Sequence, residues 1–314
     1  MSAEAPTWLV LGPQRPVRNL GDAVAAAGLP DGPVAVVSAG WQEAEGDIED
    51  VHELVRRPLR DLGLYQRAET LLAADPVLRE AHRARQDALI AQQRLYRGRL
   101  RHLKMAARHT LEAEGDRALI AAEQRHAMAQ LRALDQHHLL GVRKIQDAFY
   151  DAFDPRRNEA LAEHAAEIED VVAGCETVLV TGGNVAIILN RMRLFGVERL
   201  LAGKHLVAWS GGAMALSDRI VLFHDRTPIG RRDPEVLVDG IGAIPGFVFL
   251  PDAARRLKRK DRTRTRLMSR RFSPATCAAL YSGAVLRFEG GRLVHAESAE
   301  RLTARGRHRR MTAE

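Results

Sequence analysis

Residues 205–216 read HLVAWSGGAMAL, and the first half of this stretch has the apolar character of a buried strand. Ser210 follows the apolar run, two glycines follow the serine, and an alanine-rich segment typical of a helix comes next. A serine on a tight strand-to-helix turn can act as a nucleophile, provided that the residues two before and two after it are small. Ala208 and Gly212 meet this requirement, although Ala208 replaces the first glycine of the usual G-x-S-x-G pattern. The stretch therefore predicts either a nucleophile elbow at Ser210 or a glycine-rich turn that carries an incidental serine.

A second pair of glycines favours the nucleophile. Gly182 and Gly183, followed by Asn184, end the apolar stretch TVLVTGG and precede another helical segment. Backbone N–H groups at such a turn can face a negatively charged oxygen. The N–H of Gly211, directly after the serine, would supply a second donor. Together the two turns predict the minimum parts of an acyl-transfer site.

Apolar runs that alternate with helical segments indicate the fold class. Continuous apolar strands are typical of a parallel sheet that is covered on both faces, so we expect a flavodoxin-like, three-layer α/β fold. The expected strands are 7–12, 33–40, 177–183, 205–210, 219–223, 246–250 and a hairpin over 284–296, and the clearest helices are 19–28 and 185–196.

The middle of the chain follows a different pattern. Residues 75–169 show almost no strand signal, and apolar residues recur there at helical spacing on both sides of Gly115. This predicts a long helical hairpin inserted into a discontinuous α/β domain formed by residues 1–74 and 170–300. Residues 301–314, which include the run ARGRHRR, are expected to form a basic tail.

Composition and charge indicate which partners and which cellular location to expect. The chain has 314 residues and a formal net charge of +7, which favours acidic partners. Its apolar runs are much shorter than the roughly 20 residues of a membrane helix, and no signal peptide is recognisable, so we expect a protein without a membrane partner. Cys175 and Cys277 lack metal or redox spacing, which predicts reduced structural thiols in the cytoplasm.

Three stretches resemble a known family: VTGGNVAIIL (180–189), LVAWSGGAMAL (206–216) and DGIGAIPGFVFLPDAARRLKRKDRTRTRL (239–267). They are similar to the cyanophycinase and alpha-aspartyl dipeptidase family of serine peptidases, which have the class I glutamine amidotransferase-like fold. The resemblance covers residues 172–290 well and the first two strands loosely. It does not cover the insertion, although a group of bacterial proteins known only as glutamine amidotransferase-like resembles the whole layout.

The resemblance implies roles for individual residues. Ser210 matches the nucleophile, and Gly183, Asn184 and Gly211 match the oxyanion region. Asp225, fifteen positions after the serine, matches the acidic member of the dipeptidase triad. Asp252 occupies the position at which the family has its histidine.

The missing histidine matters because a serine hydroxyl needs a base to accept its proton. An aspartate with its usual pKa of about 4 is a weak base near neutral pH. His224 could serve as a substitute base or could be a polar residue at the end of a strand. A glutaminase is disfavoured, since that reaction uses a cysteine at the position of Ser210. The sequence thus resembles a serine hydrolase with a degraded triad.

Residues 255–271 contain ten lysines or arginines and one acid, Asp261. One interpretation is an anion-binding segment in which Arg255 and Arg256 contact an acidic substrate. A second is a solvated helix face. Nucleic-acid binding is the weakest interpretation, because no aromatic residues are interleaved for base stacking.

The insertion contains the segment LDQHHLL. Asp135 and His138 are three residues apart and would share a helix face, but no third metal ligand is obvious and His126 does not fit the spacing. We therefore expect a core or interface histidine, no metal and no cofactor. The apolar stripe of the hairpin could pack on the α/β domain, form a homodimer or close over the serine as a lid.

The leading hypothesis is a serine-dependent hydrolase of peptide or amide bonds with acidic character, which acts on a small acidic peptide or another anionic small molecule. The alternative is a catalytically inactive homologue that binds an anionic ligand or a protein partner. Association with nucleic acid through residues 255–271 is a weaker third hypothesis.

Overall fold

The computed structural model describes residues 5–154, 159–223 and 234–313. Five parallel strands form the centre of its main sheet, in the order β3-β2-β4-β5-β1. They are β1 (Thr7–Leu11), β2 (Val34–Val37), β3 (Leu59–Asp61), β4 (Thr177–Val180) and β5 (His205–Trp209). The two expected glycine turns therefore follow adjacent strands, β4 and β5, and lie side by side.

The sheet is mixed rather than wholly parallel. Strand β9 (Thr276–Glu289) pairs antiparallel with β1, and β10 (Arg292–Leu302) pairs antiparallel with β9. Strand β8 (Phe247–Pro251) runs parallel to the first half of β9. Strands β1 and β8 lie on the same edge of β9 and run in opposite directions. Their carboxyl ends therefore both approach the middle of β9, with Leu11 opposite Val285 and Pro251 opposite Leu280.

The C-terminal segment 301–314 is not a free tail, contrary to the sequence prediction. Its residues His308–Arg310 form β11, which pairs antiparallel with the end of β10, and Met311 is buried. Charged side chains are common on the outermost strand of a sheet because they discourage pairing with another chain. The basic composition of this segment therefore reflects an edge strand.

Both faces of the central sheet are buried. Successive residues of the parallel strands alternate between two apolar clusters, so that Val10 and Ala208 face one layer while Leu9 and Trp209 face the other. Helices α1 (Leu20–Ala26) and α2 (Glu49–Val55) cover one face; α3 (Leu64–Ala74), α6 (Glu159–Ala173), α7 (Val185–Leu194) and the short α8 (Gly211–Leu216) cover the other. The predicted flavodoxin-like α/β fold with a helical insertion is confirmed.

The insertion is an antiparallel pair of long helices, α4 (Pro76–Glu112) and α5 (Arg117–Ala152). Asp75 and Asp116 cap their first turns by accepting backbone N–H bonds, and Gly115 lies in the connection, as the sequence predicted. Helix α6, which the sequence prediction included in the insertion, packs on the sheet through Leu161 and Ile168. No helix in the described ranges is long and apolar enough to cross a membrane.

The hairpin packs on the α/β body. Its inner residues share one apolar cluster with α10 (Arg262–Phe272) and with the antiparallel pair β6 (Arg219–Leu222) and β7 (Glu235–Asp239); the short helix α9 (Ala253–Arg256) borders the same cluster. A side chain from the basic run crosses this interface, since Arg271 is fully buried and binds Asp135 of α5. Part of the run 255–271 is therefore structural, contrary to the interpretations of the whole run as a ligand site or a solvated face.

The Asp135–Arg271 pair lies at the centre of a buried polar network. Arg271 donates to both carboxylate oxygens of Asp135, at 2.7 and 2.5 Å, and to the Pro234 carbonyl at 2.8 Å. The Tyr96 hydroxyl donates to Asp135 and accepts from Arg271. His138 stacks on Tyr96 with ring centroids 4.1 Å apart, which places it in the core. No group of three metal-ligating side chains occurs in the described part of the chain.

Candidate active site

Ser210 occupies the turn between β5 and α8 in a rare backbone conformation. Its φ of 49° and ψ of −115° lie in a region that side-chain-bearing residues seldom adopt. Such a conformation costs on the order of 1–3 kcal/mol and persists only where the surroundings enforce it. A strained turn of this kind lifts a serine side chain out of the sheet edge, as a nucleophile requires.

Close backbone contacts explain the small residues around Ser210. A Cβ atom on Gly211 would lie 2.5 Å from the Gly183 carbonyl oxygen, and one on Gly183 would lie 2.3 Å from the Gly40 oxygen. A Cβ on Gly182 would lie 3.1 Å from that of Ser210. The two glycine turns thus touch each other, and neither accommodates a larger residue without movement.

Gly212 has a packing role. A Cβ at this position would lie 2.3 and 2.5 Å from the carbonyl oxygens of Val180 and Thr181, which belong to the neighbouring strand end. We expect Gly212→Ala to lower the free energy of unfolding by about 1–3 kcal/mol, as overpacking does in other cores. Urea denaturation measures this loss.

Gly98→Ala is the matched control, because Gly98 lies in α4 and a Cβ atom added there would meet no other atom within 4 Å. The control should be neutral or slightly stabilising. Equal stability of Gly212→Ala and wild type would contradict the packing role.

The N–H groups of Gly183 and Gly211 are available to a ligand. Within the described ranges neither donates a hydrogen bond to backbone or side chain. The resemblance placed Asn184 in the oxyanion region, but its groups are already engaged. Its N–H donates to the Gly40 carbonyl at 2.9 Å, and its side chain caps α7. Gly183 and Gly211 remain the candidate oxyanion donors, and Asn184 fixes the helix that follows them.

Two cavities meet at Ser210. One, of about 390 Å³, is lined by Asn184, Phe223, Asp252 and Arg256 among others. The other, of about 700 Å³, extends towards Trp41 and the loop after β1. Ser210 and Gly183 line both cavities. A chain-like molecule that fills both would therefore cross the serine.

Asp252 lies in the smaller cavity with Ser210. It follows β8 in a left-handed conformation, with φ 56°, and its carboxylate lies 3.7 Å from Arg255 and 3.6 Å from Arg256. The Ser210 hydroxyl makes no hydrogen bond with any described residue. Arg256 lines the cavity, whereas Arg255 is 86% exposed and does not. The structure brings Asp252 and Arg256 to the serine but leaves Arg255 in solvent.

The other two proposed triad residues, His224 and Asp225, lie outside the described residues. Phe223, directly before them, lines the smaller cavity.

The loop after β2 packs against the turn that contains Gly183. Its Gly40 contacts Gly183, and its Gln42 has φ 59° and ψ −119°, a second strained position. Ser38 at the start of this loop donates to the half-buried Asp61 carboxylate. Partial burial raises the pKa of Asp61, against the opposing effect of its hydrogen bonds from Ser38 and Gly63. This contact joins the start of the loop to the end of β3.

Sequence reasoning missed Arg15, Arg18 and Trp41. All three line the larger cavity, and Arg18 forms an ion pair with Asp50 at 3.1 Å. They follow β1 and β2, and loops at the carboxyl ends of parallel strands commonly form ligand sites. That positional rule, applied to the first two predicted strands, could have identified them.

Neither cysteine offers a competing nucleophile. Both are buried, and burial raises the pKa of Cys277 to about 12 and raises that of Cys175 as well. A thiol with a raised pKa is mostly protonated near neutral pH, and the thiolate is the reactive form.

Comparison with known proteins gives distant structural matches only. No protein-family profile and no curated protein matches the chain. A peptidase from an acI-B1 actinobacterium matches with 13% identity and a TM-score of 0.46, over 99% of this chain and 95% of that one. A peptidase E-like protein from Listeria monocytogenes EGD-e matches with 11% identity and a TM-score of 0.40, over 95% of this chain and 100% of that one.

Proposed function

We propose that the protein is a serine-dependent hydrolase of peptide or amide bonds with acidic character. The observation that carries the proposal is the strained conformation of Ser210 beside two unengaged backbone N–H groups. In this reaction the Ser210 Oγ attacks the carbonyl carbon, and the N–H groups of Gly183 and Gly211 bind the oxygen that becomes negative. The C–N bond then breaks, the amine leaves with the proton lost by the serine, and water hydrolyses the resulting acyl-enzyme.

The acidic preference rests on the charges of the two cavities. Arg15 and Arg18 lie on one side of the serine and Arg256 on the other. Asp50 and Asp252 offset Arg18 and Arg256 respectively, which leaves Arg15 without an ion-pair partner among the described residues. We propose that Arg15 contacts a carboxylate of the substrate.

A fluorophosphonate probe tests the nucleophile directly. We expect covalent labelling of wild-type protein at Ser210, located by peptide mass spectrometry, and no adduct on Ser210→Ala. Ser298→Ala is the matched control, because Ser298 also has a positive φ, of 48°, but lies exposed in β10. A Ser210 that stays unmodified from neutral to alkaline pH would refute the hydrolase proposal.

The second candidate function is an inactive homologue that binds an anionic ligand or a protein partner. It is favoured by the Ser210 hydroxyl, which has no hydrogen-bonded base among the described residues, and by the arginines beside Asp252.

Replacing Asp252 with histidine tests the lapsed triad. General bases contribute about 10²–10⁴-fold in enzymes, so Asp252→His should raise hydrolysis of aspartyl p-nitroanilide at least tenfold at pH 7–8. Asp252→Asn, which removes the charge without adding a base, should give no gain. A rate that is unchanged or lower in Asp252→His would exclude this position as the lost base.

A further inference from the structure

A separate cavity lies between the hairpin and the α/β body. It has a volume of about 430 Å³ and is bounded by α4, α5, α7 and β7. Its lining residues differ from those of both cavities at Ser210. Apolar side chains such as Leu89, Val142, Ile187 and Leu237 form much of its wall. Cavities of this size with apolar walls and a few polar groups are typical of small-molecule sites.

Three arginines of the described ranges line this cavity. Arg97 of α4 is paired with Glu235, and Arg191 and Arg193 of α7 line the cavity together with His82 of α4. Arg191 pairs with Glu69 at 2.7 Å, and Arg193 lies 3.5 Å from Glu198. Burial, reinforced by Arg85 and Arg191, lowers the pKa of His82 to about 4. Arg191 and Arg193 thus each have a carboxylate nearby, Glu69 and Glu198 respectively. Arg85 of α4 is a further cation close to them.

Arg85 is buried but lacks, in the described ranges, a hydrogen-bond partner for its guanidinium group. Only 4% of it is exposed, and none of its three guanidinium nitrogens has a hydrogen-bond partner among the described residues. The guanidinium lies 4.1 Å above the Phe149 ring and 5.4 Å from the ring of Tyr150, which lines the cavity. No hydrogen bond of normal geometry joins it to the Tyr150 hydroxyl.

A buried cation without a counter-ion is strongly disfavoured. Burial lowers the pKa of Arg85; the nearby Tyr150 opposes this effect, and the neighbouring Arg191 and Arg193 add to it. His82 and Leu89, three residues before and four after Arg85, share its face of α4 and line the cavity. The unpaired charge therefore lies directly behind the cavity wall.

We propose that this cavity binds a small organic anion with an apolar body. The anionic group would lie against Arg191 and Arg193, in front of Arg85, where it would supply the missing negative charge. The apolar body would lie against Leu89, Val142 and Leu237. Neither part of this assignment depends on hydrolysis at Ser210.

Octanoate, octanol and octylamine are suitable probes because they share one apolar chain and differ in charge. Calorimetric titration should show at least tenfold tighter binding of octanoate than of the other two. Arg85→Met should reduce octanoate affinity at least tenfold, leave octanol unchanged and raise the thermal stability of the free protein. Arg83→Met, an exposed position on the same helix, should bind octanoate like wild type.

Equal affinity for octanoate and octanol, or unchanged octanoate affinity in Arg85→Met, would overturn the proposal. If Arg85→Met does not fold, the ratio of octanoate to octanol affinity in wild-type protein decides the matter. Octanoate should bind Ser210→Ala as tightly as wild type, so this result and that of the hydrolase proposal are separate.

Discussion

Ser210→Ala is expected to lower kcat/KM for aspartyl p-nitroanilide by about 10³-fold or more, since removal of a nucleophile eliminates the covalent pathway. The residual rate would come from the backbone donors at Gly183 and Gly211, which the substitution leaves in place. The variant should fold normally, because the Ser210 hydroxyl makes no hydrogen bond to the described residues that would be lost. Steady-state kinetics and a urea unfolding curve measure the two effects.

Two further variants test whether the loss of activity is specific to the turn that contains Ser210. Ser298→Ala should keep full activity, because Ser298 lies on the surface of β10. Gly211→Ala should lose activity as well, since its Cβ would push the turn away from the Gly183 oxygen. Wild-type activity in Ser210→Ala would assign the chemistry to another residue and invalidate the elbow as the catalytic centre.

Arg271→Met is expected to lower the free energy of unfolding by about 3–5 kcal/mol, the usual effect of removing one partner of a buried ion pair. Asp135, which is 2% exposed, would be left with only the Tyr96 hydroxyl as a described side-chain partner. The hairpin and α10 would lose the buried part of their polar contacts, while surface contacts such as that of Arg266 with Gln124 would remain. Urea denaturation followed by circular dichroism measures the change.

The exposed pair Arg143–Asp239 provides the control. Arg143 is 53% exposed, and such pairs contribute about 0–1 kcal/mol, so Arg143→Met should be nearly neutral. The double variant Asp135→Leu with Arg271→Met should recover much of the lost stability, because no unpaired charge remains. Similar stability losses for Arg271→Met and Arg143→Met would show that the buried pair contributes no more to stability than an exposed pair.

Local pattern was sufficient to predict the tight strand-to-helix turn at Ser210. The apolar run before Ser210, the small residues Ala208 and Gly212 and the second turn at Gly183 all follow from the backbone geometry of a strand-to-helix turn. The alternation of strands and helices likewise predicted the layered core. These features depend on residues that are neighbours in the chain, which is why periodicity and spacing identify them.

Features built by distant residues escaped prediction. Nothing local to α10 distinguishes Arg271, which is buried against a residue of the hairpin, from Arg255, which is in solvent. The approach of β8 to β9 from the direction opposite to β1 also depends on pairing across the sheet. Arg15 reaches the Ser210 cavity for the same reason, because strand order determines which loops meet.

The antiparallel pairing of β1 with β9 has a consequence for biosynthesis. Trp8 is aligned with Leu206 on one side and with Phe288 on the other, so β1 joins the middle of the chain to its end. A ribosome-bound chain that stops before Thr276 carries β1 with one edge unpaired, and such edges invite pairing with other chains. The helical hairpin, closed by neighbours along the chain, can form well before that stage. Both edges of the strand beside the serine turn are thus paired only after residues 285–289 have emerged.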